Sequence, residues 1–198
     1  MLALLAEARS YAAGDRFGAR ELPRLEILRG FMDYRAGDPA QASVSFVSAA
    51  SRCEALKDWE CYARALQNDA SLAEEARDYT VALKAFADVL RALPPHLDRQ
   101  LTADIWSNQG KVQVSAGLFE EGERSHRVSI PLHAEIGDCE GARVGIARLG
   151  SLLLQVGSLA DGVNALTQAT ALDCPALLAV AAAVSKPHRR RLERFART

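Results

Sequence analysis

The sequence predicts an all-α protein, a solenoid of antiparallel helix pairs. Three observations carry that prediction. Residues of matching type recur every forty positions along the 198-residue chain. Within each forty, capping and turn-forming residues bracket two helix-length stretches. Alanine, leucine, arginine and glutamate, all good helix formers, dominate a composition that is 49% hydrophobic and 6% aromatic, and nothing alternates as a strand would.

Residues 1–21 hold one helix, over Met1 to Ala13, read as half of a preceding unit. Four helix pairs are expected over 22–172: 22–36 with 39–56, 59–76 with 79–93, 99–116 with 119–136, and 139–156 with 159–172. Asp58, Asp98 and Asp138 would cap the first helix of a unit, because a carboxylate accepts the orphan N–H groups of a first turn. Gly37, Gly117 and Gly157, with Arg77 in the same column, mark the turn inside each unit. Asp38 then suits an N-cap and Pro39 the first helical position; Asp78 and Ser158 can cap likewise. Gly30, Ala70, Gly110 and Gly150 form one small column, and Ala42, Ala82, Gly122 and Gly162 another, as close approach of two helices requires. Phe46, Phe86 and Leu166, in a column that also holds His126, lie one turn on and extend the buried face. One helix pair cannot bury its apolar side alone, so neighbours must stack. Residues 173–198 give a closing helix, Ala176 to Val184, and a basic tail.

Several function classes are excluded by the same reading. A formal net charge of −1 gives no general attraction to nucleic acid or an anionic membrane. The apolar start is too short for a signal peptide, and no run reaches membrane-spanning length. Cys53, Cys61, Cys139 and Cys174 have no metal-ligand or redox spacing and read as buried, reduced thiols, consistent with a cytoplasmic protein of bacterial composition. No phosphate loop, nucleophile elbow or zinc-protease motif is present. His126 and His133 stand seven apart with no ligand cluster around them. The expectation is therefore no enzyme, no cofactor and no metal.

The columns resemble the tetratricopeptide repeat over roughly residues 22–172. Trp106, Gly110, Phe119 and Gly122 match its pattern in the third unit. Ile146, Leu149, Gly150, Leu153, Leu159, Leu166 and Ala169 match in the fourth. A period of forty exceeds the usual one of about 34 and is similar to the long-repeat branch of kinesin light chain and LGN-type proteins, whose linkers the text from Ile136 to Arg143 resembles. HEAT and armadillo repeats, which run near this period, are the alternative. In the first unit Glu26, Arg29 and Asp33 fall where the family has apolar residues; a shift by one places Leu25, Leu28 and Met32 there instead.

The resemblance implies a right-handed superhelix whose first helices line a concave groove for a peptide or partner helix. The family's groove positions fall on Arg64, Gln67, Asn68, Ser71, Glu74 and Glu75; on Asp104, Ser107, Asn108, Lys111, Val114 and Ser115; and on Val144, Ala147, Arg148, Ser151, Leu154 and Gln155. Asn68 and Asn108 are the sharpest pair, since an asparagine amide both donates and accepts and so can hold a peptide unit. Arg148 takes that column in the next unit and suits a carboxylate or carbonyl. The family's chaperone-binding carboxylate clamp is not reproduced. The implied function is a protein-interaction scaffold, a module of a larger signalling or regulatory protein. Two alternatives stand beside it. One is a nucleic-acid-associated regulator acting through the tail, where Lys186, Arg189, Arg190, Arg191, Arg194 and Arg197 oppose only Glu193. The other is a structural, self-associating solenoid that forms a homodimer.

Overall fold

One turn, repeated, sets most helix boundaries. After Arg35 the N–H of Gly37 bonds the carbonyl of Tyr34 and the N–H of Asp38 that of Asp33, both at 3.0 Å, while Gly37 adopts φ 86°. This is a Schellman closure, and it satisfies the last carbonyls of the helix. Asp38 then serves the next helix: its carboxylate accepts the Gln41 N–H at 2.9 Å, and Pro39 follows at the first helical position. One residue ends one helix and starts another. The same paired hydrogen bonds and positive φ recur at Lys57–Asp58, Arg77–Asp78, Gly117–Leu118, Gly137–Asp138 and Gly157–Ser158.

The computed structural model describes residues 16–94 and 98–184. The helix expected over Met1 to Ala13 and the basic tail from Lys186 onward lie outside them. Among the described residues the structure is helical throughout, with α1 (Arg16–Arg35), α2 (Pro39–Ala55), α3 (Trp59–Glu75), α4 (Tyr79–Ala92), α5 (Arg99–Ser115), α6 (Phe119–Glu135), α7 (Cys139–Gln155), α8 (Leu159–Ala171) and α9 (Cys174–Ala183). None is long and apolar enough to cross a membrane. Most ends fall within a residue or two of the sequence reading; α1 starts earlier than position 22 and runs through Pro23. Asp58, Asp78, Asp98 and Asp138 cap as expected. Ser158 does not: its hydroxyl donates to Asp161 at 2.6 Å instead. After α4 the chain leaves helical geometry at Leu93, ahead of two prolines, and it divides there into two compact units, Met1–Pro94 and Pro95–Thr198.

In the first unit α1 packs on α2, α2 on α3 and α3 on α4, and α1 also touches α3. Gly30 faces Phe46 so closely that a Cβ would stand 2.5 Å from its ring. Ala42, Ala70, Ala82 and Phe86 are buried in the matching columns. The one-residue shift considered for the first repeat is not adopted. Glu26 stays inside at 3% exposed while Leu28 stands 53% exposed. The buried carboxylate is compensated by Ser48 Oγ at 3.2 Å and Arg52 Nε at 3.1 Å, and Asp33 accepts Ser45 Oγ at 3.2 Å. Partnered in this way, acids occupy apolar positions at tolerable cost.

In the second unit α5 packs on α6, α6 on α7 and α7 on α8, with α5 touching α7. Gly110 faces His126, and Gly150 faces Leu166 and Ala165. The core gathers Ile130, Ile146, Leu149, Leu152 and Leu153. The closing helix α9 lies on α6 and α7 and buries Leu177 and Ala181.

The cysteines depart from the reading as free thiols. Cys53 pairs with Cys61 and Cys139 with Cys174, each with Cα atoms 5.6 Å apart, and no cysteine is left free. Sequence spacing hides both pairs because turns bring the helix ends together: α2 ends where α3 begins, and the N-termini of α7 and α9 meet.

Candidate functional site

The forty-residue period sets matching positions of alternate helices side by side. In the first unit Arg24 of α1 lies 4.0 Å from Asp58, the cap of α3, and Tyr34 Oη donates to Glu75 Oε2 at 2.8 Å. Helices α1 and α3 therefore run parallel. That hydrogen bond to a carboxylate, with its negative charge, raises the Tyr34 pKa above the ordinary phenol value. At the Arg24–Asp58 contact is a cavity of about 340 Å³, lined by Arg24, Ile27, Leu28, Asp58, Glu60, Cys61 and Arg64. Phe31, one turn beyond Leu28, is also exposed and meets Phe46 edge to face at 5.4 Å.

The lining overlaps the groove columns in part, at Arg24, Ile27, Leu28 and Arg64, while Asp58, Glu60 and Cys61 lie on none of them. Arg24, Ile27 and Leu28 precede Arg64, Gln67 and Asn68 by forty positions. The sequence reading missed these three because the register of the first repeat was open; subtracting one period from the candidates finds them. Arg64 is exposed and pairs with Glu60 at 3.0 Å, a surface ion pair worth little to stability. Gln67 and Asn68 are half-buried on α3, and Ser71 is exposed with its hydroxyl on the Gln67 carbonyl at 2.9 Å.

In the second unit α5 and α7 are joined in the same parallel sense. Gln100 Nε2 donates to Asp138 at 2.8 Å. Arg148 Nη1 donates to Ser107 Oγ at 2.8 Å and to its carbonyl at 3.3 Å. Arg148 thus grips the helix that carries Asn108, and Ser107 is buried rather than presented. Asn108 is half-buried on α5, Lys111 exposed on the same helix, and Ser151 and Gln155 exposed on α7. The Val114 and Leu154 column turns the other way: a Cβ on Gly122 would meet Val114, and one on Gly162 would meet Leu154, each at 2.7 Å. These two pack toward the second helix of their pair and leave the candidate face.

Asp138 has a second task beyond capping. Its Oδ1 accepts the Gly141 N–H at 3.0 Å, while Oδ2 meets His133 Nδ1 at 2.8 Å. Burial pushes its carboxyl pKa up, but the hydrogen bonds from Gly141, Gln100 and His133 outweigh that and hold it below the ordinary value. His133, itself buried, has its Nε2 4.0 Å from Asp104. This cluster ties α5, α6 and α7 together.

No protein-family model matches this chain, and a comparison with curated proteins finds no match.

Proposed function

We propose that the chain is a helical-repeat interaction module of the tetratricopeptide kind, which holds an extended peptide or a partner helix against its first helices. One observation carries the reading: the columns that contain Arg64, Gln67 and Asn68 continue back to Arg24, Ile27 and Leu28, and Arg24, Ile27, Leu28 and Arg64 line an open cavity between α1 and α3. In the first unit Ile27 and Leu28 supply apolar contact and Asn68 a donor and an acceptor for a ligand backbone; in the second unit Asn108 offers the same pair on α5. Arg148, engaged with Ser107, acts in this reading by fixing the helix that presents Asn108. The right-handed superhelical path, the scaffold role and the cytoplasmic setting belong to the same proposal. The two cysteine pairs stand against the cytoplasmic setting, because reducing compartments keep thiols free; disulfides mapped in protein taken from the cell without oxidation would remove it.

The test is selection of peptides from a displayed random library on the full chain. Binding of the selected peptides is then compared for wild type and Asn68→Ala plus Asn108→Ala. Loss of two backbone-directed amides weakens binding by about tenfold or more, with the melting temperature unchanged. Equal binding by both proteins, or no enrichment, contradicts the proposal.

A further inference from the structure

The closing helix α9 is fastened at three places. At its N-terminus Cys174 pairs with Cys139, the first residue of α7, across a sequence separation of 35. In its middle Leu177 and Ala181 are fully buried against α6 and α7. At its C-terminal end Arg127 Nη1 donates to the Val184 carbonyl at 3.0 Å. Its fourth side is open. A cavity of about 500 Å³ separates it from α8, with Leu149 and Leu153 below, Ala165 and Gln168 on the α8 wall, and Val180 and Val184 on α9. A helix of 10 residues has no independent stability, so its place depends on these fasteners.

The two cysteine pairs differ in access. Cys53 and Cys61 are both buried, whereas Cys174 is exposed and Cys139 half-buried. We infer that the Cys139–Cys174 disulfide is a redox latch that holds α9 over α6 and α7, and that its reduction by a small dithiol releases the helix and uncovers the apolar seat of Leu177 and Ala181. The exchange is balanced. A thiolate of the dithiol attacks the exposed Cys174 sulfur, the bond to Cys139 breaks, and Cys139 leaves as a thiolate. The second thiol of the reagent then displaces Cys174. The reagent ends as its own disulfide and both cysteines as thiols. The linkage constrains the chain while closed, so opening it returns conformational freedom to α9 and weakens its docking.

Disulfide mapping of the air-oxidised full chain, followed by hydrogen–deuterium exchange with and without dithiothreitol, tests this. The expected result is a mapped Cys139–Cys174 link and amide exchange in α9 faster by about tenfold or more on reduction, with α5, α6 and α7 still protected. Cys139→Ser plus Cys174→Ser should show the fast exchange without reductant, while Cys53→Ser plus Cys61→Ser keeps α9 protected until dithiothreitol is added. Absence of the link, unchanged α9 protection on reduction, or loss of protection throughout the second unit would each overturn the latch; the last would make the disulfide a staple of the whole unit.

Discussion

His126 stands in the column that Phe46 and Phe86 fill with aromatic carbon, and it is buried to 1%. Its Nδ1 has no hydrogen-bond partner among the described residues. Burial, and secondarily the charge of Arg148, lower its pKa to about 4. The folded protein therefore binds this proton less readily than the unfolded chain does. Above the ordinary histidine range both states are neutral and the group has no pH effect. As pH falls from about 6.5 toward about 4 the unfolded state takes up the proton first, and stability is lost. Histidine 126 alone should make the second unit about 2 kcal/mol less stable at pH 5 than at pH 7.5. His126→Leu, which copies Leu166 of the same column, should remove that component and also relieve the orphan nitrogen, for a gain of about 1–2 kcal/mol at neutral pH. Urea denaturation of both proteins at the two pH values measures it; an unchanged pH slope in the variant would show that His126 is not buried neutral. The column itself was legible in the sequence, since it recurs every forty residues. That a histidine there lacks a partner was not, because partners come from other helices. Glu26 makes the same point in reverse: the sequence marks it as misplaced, and only the fold supplies Arg52 and Ser48.

At the scale of the element, the link between helices is one turn geometry used at intervals of twenty residues, half the sequence period. The capping aspartates made the helix starts readable. The half-period stayed hidden because the left-handed position is filled in turn by Gly37, Lys57, Arg77, Gly117, Gly137 and Gly157, so the glycines form no unbroken column. One cap is missing. Leu118 occupies the N-cap of α6 with no side-chain hydrogen bond, at a backbone geometry close to that of Asp78, the N-cap of α4. Leu118→Asp should therefore stabilise the protein by about 1 kcal/mol, read as a raised melting temperature. A lowered one would show that the exposed leucine contributes more by contact than a carboxylate does by capping. Helix-to-helix spacing gives a second check. Gly150 already places its hypothetical Cβ 3.0 Å from Leu166 and 3.1 Å from the Gly162 carbonyl, so Gly150→Leu should force α7 and α8 apart and destabilise by about 2–3 kcal/mol. An unchanged melting temperature contradicts the packing register.

At the scale of the molecule, the sequence repeat runs through both compact units, and each unit sets its first helices side by side in parallel. That much followed from periodicity, because a forty-residue repeat of helix and turn can bury its apolar columns only by stacking. The candidate face was legible in part. Arg64 lines the first-unit cavity together with Arg24, Ile27 and Leu28, and Gln67 and Asn68 are half-buried outside that lining, whereas Val114, Leu154 and Ser107, assigned to the same face, turn inward. Column position says which residues share a face, but side-chain reach across a helix interface decides which are presented. The cysteine pairs were not legible at all, for they depend on which helix ends meet. The most direct test of the proposed binding face is a hydrogen–deuterium exchange footprint of the full chain with a library-selected peptide. Added protection is expected to concentrate in α1 and α3 of the first unit and in α5 and α7 of the second. Protection confined to α2, α4, α6 and α8, or to the cavity beside α9, would contradict it.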